Sequence, residues 1–188
     1  MRPSQGLDTG SIPVSRSKNV QFMKIYLAGN IPKGDEEAKG FEDWRKRYQA
    51  VISKVFNAEF IIPRAGDVDE TDAVLVIGKD STSIKNSDLV IVYAEERLGA
   101  GTSIELTIAK YFKKTVVTIM PKNTYHRRSN VVFDGKNVED WIHPFVNAFS
   151  DMVLEKIDDV ASLKDKILSL KPKDISVIDE GLHRYAKQ

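Results

Sequence analysis

The chain has 188 residues, 41% hydrophobic and 29% charged, the balance of an ordinary globular protein large enough to bury its own core. It contains no cysteine, which excludes disulfides, thiolate metal sites and a thiol nucleophile together. Its 28 basic and 27 acidic residues leave a net charge of +1, so no overall field favours nucleic acid or an anionic membrane, and a small-molecule substrate is expected.

Residues 1–22 are rich in Ser, Gly, Pro and Arg and follow no period of two or 3.6, so a disordered arm is expected there. The stretch 4–16 resembles the conceptual translation of a transfer-RNA gene end, which would make Met23 the true start. No apolar run approaches the roughly 20 residues of a membrane span, and no signal-peptide centre precedes the first strand; a cytoplasmic protein is expected.

From Met23 the pattern alternates between strands and helices, the mark of a parallel sheet covered on both faces. A strand is predicted over 23–28, ending at Gly29, then a polar loop and a helix over 41–55 whose Trp44 and Tyr48 belong to the core. A second strand at 59–63 leads into an acidic, turn-rich loop at 64–71, expected on the substrate side. The run 73–78 fits either a buried strand or a helix start, and is read as a helix reaching Lys85. Residues 88–94 carry the continuous apolar run of an internal parallel strand, with Asp88 bonding to backbone at its head.

The next helix is expected to begin near Thr102, with Ile104, Ile108, Ala109 and Phe112 on one face and Lys113-Lys114 in its last turn. Then follow a strand at 115–120, a basic loop at His126-Arg127-Arg128, a weak strand at 131–133, an aromatic segment at 141–149 and a final helix over 162–170. The whole reads as one domain over 23–170 with a charged tail at 171–188.

The informative stretch is Leu98-Gly99-Ala100-Gly101-Thr102-Ser103-Ile104-Glu105-Leu106, between the clearest strand and the clearest helix. In open parallel sheets that edge is where ligands bind. Gly99, Gly101 and Thr102 are candidate ligand contacts there, because glycine lets a ligand approach the backbone and leaves amides free to hold oxygens. Glu105 is expected in the first helical turn, where the helix dipole would favour an ionised, nucleophilic carboxylate. The residues Thr102-Ser103-Ile104-Glu105 equally make a capping box, which needs no chemistry.

Three elements taken in order resemble the nucleoside 2-deoxyribosyltransferases and the related 2'-deoxynucleoside 5'-phosphate N-hydrolases. They are Ile25-Tyr26-Leu27-Ala28-Gly29; Asp80 with Ile84 and Asp88-Leu89-Val90-Ile91-Val92; and Gly101-Thr102 to Glu105-Leu106, followed by Lys113-Lys114 and Thr115-Val116-Val117. The resemblance implies an α/β, flavodoxin-like or Rossmann-like three-layer sandwich around a central parallel sheet. It implies that Glu105 is the nucleophile at the anomeric carbon, that Asp80 handles the proton of the departing base, and that Tyr26 orients the glutamate. Gly29, Asn30, Gly99, Gly101 and Thr102 would line the substrate. It also implies a homodimer or higher homo-oligomer whose subunits help close the site; in this chain Trp141, Phe145 and Phe149, at roughly helical spacing, are the candidate apolar contact. No cofactor is implied, and His126, His143 and His183 are too scattered for a metal site.

One position departs from the transferase pattern, which has an aspartate six residues before the nucleophile where this chain has Gly99. Glu95 or Glu96 are the candidates to replace it, and His126-Arg127-Arg128 is a candidate 5'-phosphate site. Two other functions fit the same residues: a non-catalytic nucleotide-binding module in which Glu105 only caps its helix, and a glutamate-dependent dinucleotide glycohydrolase on a similar sheet.

Overall fold

The computed structural model describes residues 22–64 and 66–187, so the expected arm lies outside the described residues except for Phe22. Five strands form one parallel sheet in the order β2-β1-β3-β4-β7: β1 (Met23–Ala28), β2 (Ala58–Ile61), β3 (Leu89–Tyr93), β4 (Thr115–Ile119) and β7 (Met152–Leu154). The three inner strands are buried on both faces, which is why they read as continuous apolar runs. Asp88 bonds to backbone as expected, its carboxylate accepting the Lys24 N–H at 2.8 Å.

Successive strand residues point to opposite faces and so divide the core into two layers. Ile25, Leu27, Leu89, Ile91, Val117 and Ile119 face α2 (Trp44–Ile52) and the short helices α6 (Asp159–Ser162) and α7 (Lys164–Leu168). Tyr26, Ala28, Val90, Val92 and Val116 face α3 (Ala73–Lys85), α4 (Ala100–Tyr111) and α5 (Pro144–Phe149). A single-turn helix, α1 (Gly34–Ala38), lies in the loop after β1. Among the described residues no helix is long and apolar enough to cross a membrane.

Several boundaries differ from expectation for local reasons. The ambiguous run is helical as read, because Asp72 caps α3 by accepting the Val74 and Leu75 amides at 3.0 Å. The last sheet strand, β7, was not anticipated; three residues are too few to show a period. The expected helix over 162–170 is broken into α6 and α7 at Leu163. The weak strand at 131–133 is one arm of an antiparallel hairpin outside the main sheet, β5 (Arg127–Phe133) with β6 (Lys136–Ile142). Its turn is Asp134-Gly135, both with positive φ, the pair that a two-residue hairpin turn demands.

Trp141 lies on β6 while Phe149 is buried in the core and Phe145 is exposed, so the three aromatics share no helical face. Residues 171–188 contain α8 (Val177–Tyr185), and Ile175 and Val177 pack against the α4 side of the core. Lys113 falls after α4, with φ of 55°, and the cation in the last turn is Lys110, fully buried.

Candidate active site

The order β2-β1-β3 reverses direction at β1 and β3, and a crevice opens beyond their carboxyl ends. A cavity of about 220 Å³ sits there. Gly29, Asn30, Ile31 and Lys33 enter it from the β1 side, Pro63 and Glu70 from the chain after β2, Val76, Lys79 and Asp80 from α3, and Gly99 to Thr102 with Glu105 from α4. Asp80, Glu105, Gly29, Asn30, Gly99, Gly101 and Thr102 all line this one space, and Tyr26 reaches it through Glu105.

Helix α4 begins earlier than expected, at Ala100, with Gly99 as a cap that makes no side-chain bond. This corrects the capping box. Thr102 is the third helical residue and Glu105 the sixth, so Glu105 sits in the second turn and satisfies no terminal amide. The dipole is weaker there, and burial dominates instead: the Glu105 carboxyl is pushed up to about 7 by loss of solvent, opposed by the Tyr26 hydrogen bond and raised further by Asp80. The expectation of a dipole-stabilised carboxylate is therefore reversed.

Tyr26 points from β1 into the α3–α4 layer and donates from its hydroxyl to Glu105 Oε1 at 2.6 Å. Oε2 of Glu105 is buried without a partner. On α3, Val76, Asp80 and Ile84 are four residues apart and so make one inward stripe, with a carboxyl where an apolar residue would ordinarily pack. Oδ1 of Asp80 is likewise buried without a hydrogen bond, 3.6 Å from Lys79 Nζ. Burial raises the Asp80 pKa, the Lys79 ammonium opposes this, and Glu70 and Asp67 add to the rise. Two carboxyls with orphaned oxygens thus meet in one cleft.

Gly29 packs tightly rather than merely bordering a ligand: a Cβ there would run into the Trp44 ring and come within 2.9 Å of Tyr93 Cβ. Asn30 uses both ends of its amide on the Arg97–Gly99 backbone, and a Cβ on Gly99 would meet its Oδ1 at 2.8 Å. Glu95 accepts from Tyr48 and Arg47, which commits it away from the cleft. Arg127 is buried against Asp140 and the Met120 carbonyl, and His126 bonds Leu98, so two of the three basic residues are committed within the fold and Arg128 is exposed. Glu70 lies in the loop expected on the substrate side, while Lys79 of α3 joins the cleft without having been singled out in the sequence. No cluster of three or more potential metal ligands occurs among the described residues.

No family model matches this chain, and no curated protein matches it. Among solved structures, the chain is similar to a 2-deoxyribosyltransferase from the psychrotolerant bacterium Bacillus psychrosaccharolyticus, at 19% identity and a TM-score of 0.50, over 79% of this chain and 98% of that one. It is also similar to a 2-deoxyribosyltransferase from Leishmania mexicana (22% identity, TM-score 0.43, 62% and 78% covered) and to a CMP N-glycosidase from Clostridium botulinum (15%, 0.41, 76% and 98%). The fold is that of the nucleoside deoxyribosyltransferases, a parallel five-stranded sheet between helices.

Proposed function

We propose that this protein is an enzyme that cleaves the N-glycosidic bond of 2'-deoxyribonucleosides or their 5'-monophosphates, by hydrolysis or by transfer of the sugar to another base. The observation that carries this reading is Glu105: a buried carboxylate oriented by the Tyr26 hydroxyl at 2.6 Å, its second oxygen unengaged, in a cleft shared with Asp80. A capping glutamate would spend its oxygens on helix amides, and Glu105 spends none.

In the first step Oε2 of Glu105 attacks the anomeric carbon as the bond to the base nitrogen breaks, and the bonding electrons leave with the base. Asp80 supplies a proton to that base. Water or a second base then attacks the same carbon, gives up its proton to the Asp80 carboxylate and releases Glu105 as a carboxylate. The raised Asp80 pKa suits a proton donor, and the bond from Tyr26 favours the ionised glutamate over its acid form. The cavity is smaller than the roughly 300–1,000 Å³ of typical ligand pockets, so it suits the sugar, with the base reaching outward. The uncapped start of α4 and the neighbouring Lys33 favour a 5'-phosphate there.

The test is to incubate the protein with deoxynucleosides and deoxynucleoside 5'-monophosphates, with and without an acceptor base, and to follow free base. Release is expected, slowed about 100-fold or more in Asp80→Asn for bases that need protonation to leave. Absence of release from every member of the panel contradicts the proposal.

A further inference from the structure

Three consecutive residues at the mouth of the cleft, Arg97 to Gly99, have backbone groups held by two side chains from distant parts of the chain. Asn30, leaving β1, donates from Nδ2 to the Arg97 carbonyl at 3.0 Å and accepts the Gly99 N–H on Oδ1 at 3.1 Å. His126, in the turn before β5, accepts the Leu98 N–H on Nε2 at 2.9 Å. Each holder is itself held. The Asn30 carbonyl accepts the Trp44 indole N–H at 2.9 Å, and the His126 carbonyl accepts the His143 N–H at 2.8 Å. Arg127, next in sequence, is bound to Asp140 and to the Met120 carbonyl. The His126 ring packs edge-on against Tyr125 and His143.

A loop joining a strand to a helix over a binding crevice is the segment most expected to move. Here it is fixed, and the residue after Gly99 opens the helix that lines the cleft and carries Glu105. The Leu98 bond also dictates the state of the imidazole. A ring nitrogen that accepts an N–H bears no proton, so this bond requires a neutral ring with its hydrogen on Nδ1, a nitrogen that is buried and meets no hydrogen-bond partner among the described residues. Burial, then His143, then Arg97 hold its pKa below the ordinary histidine value, in agreement with that state. A second proton would set Nε2–H against the Leu98 N–H and release the loop.

We propose that Asn30 and His126 are positioning residues of the cleft, clamping residues 97–99 so that the first turns of α4 and Glu105 keep their place, and that His126 does so only as the neutral imidazole. The catalytic consequence rests on the glycosidic reading; the clamp itself is measurable without turnover. Glutamine can present its side-chain oxygen where Nε2 lies and does not titrate, so the informative pair is His126→Gln and His126→Phe.

In the full-length wild type at pH 7, the nitrogen-15 spectrum of His126 should show the Nδ1-protonated tautomer, and the Leu98 amide should exchange slowly. Protection, corrected for intrinsic exchange, should be lost as the pH falls below the ordinary histidine range, and should stay constant with pH in His126→Gln. His126→Phe should lose Leu98 protection and lower kcat about tenfold or more with little change in KM, with His126→Gln near wild type. An Nε2-protonated tautomer overturns the proposal, as does Leu98 protection that is unchanged in His126→Phe or lost equally in both variants. If the wild type releases no base from any substrate, the glycosidic reading fails alone, and the tautomer and exchange data still decide the clamp.

Discussion

Glu105→Gln is expected to abolish base release while making the protein more stable above neutral pH. Glutamine keeps the shape and can still accept from Tyr26, but its amide does not attack the anomeric carbon. The stability gain follows from burial. The carboxyl titrates near 4.5 when exposed and at about 7 in the fold, so the folded chain binds the extra proton more tightly than the unfolded one. Stability linked to this group is therefore full below about pH 4.5 and lost as pH rises to 7, by at most about 3 kcal/mol. The variant escapes that loss. Urea unfolding at pH 5 and pH 8 should show a wild-type deficit relative to Glu105→Gln that grows with pH; a gap independent of pH contradicts the buried, titrating carboxylate.

Asp151→Ala is expected to be the most damaging single change away from the cleft. The Lys110 ammonium, fully buried at the end of α4, pairs with the Asp151 carboxylate, itself 2% exposed. The same carboxylate accepts the Val116 N–H on β4 and the Lys173 N–H beyond α7, each at 2.7 Å. Removing it leaves a buried cation with only the Lys114 carbonyl and strands two backbone donors, a loss of about 3–5 kcal/mol. Lys110→Met should cost less, because Asp151 keeps both backbone donors. Equilibrium denaturation of the two variants checks the order; equal and small losses would show that the pair does not join these elements.

What the sequence made legible follows from which residues are buried on two sides and which on one. The strands β1, β3 and β4 were readable because an internal parallel strand has no polar face. The edge strand β7 is too brief for a period to register, and the break at Leu163 that divides the expected helix has no signal in the spacing. The hairpin carries its signal in the sequence, Asp134-Gly135, both with positive φ in the turn, between two short runs.

At the site, the glycine run after β3 located the crevice, because parallel sheets bind ligands at that edge. The meeting of Tyr26, Asp80 and Glu105 depends on strand order, and no spacing along the chain encodes it. The same is true of the bonds from Asn30 and His126 to residues 97–99, which span 67–69 and 28 positions. The state of Glu105 is not legible in the sequence because α4 starts at Ala100, two residues before the expected Thr102, so burial and not the helix dipole sets its charge.

The central claim, that Glu105 forms a bond to the sugar, is tested most directly by rapid quenching of the wild type with a substrate it turns over, followed by mass analysis of its peptides. A covalent deoxyribosyl adduct on Glu105, absent in Glu105→Gln, is the result expected. Base release that continues undiminished in Glu105→Gln, with no adduct on the wild type, would contradict it.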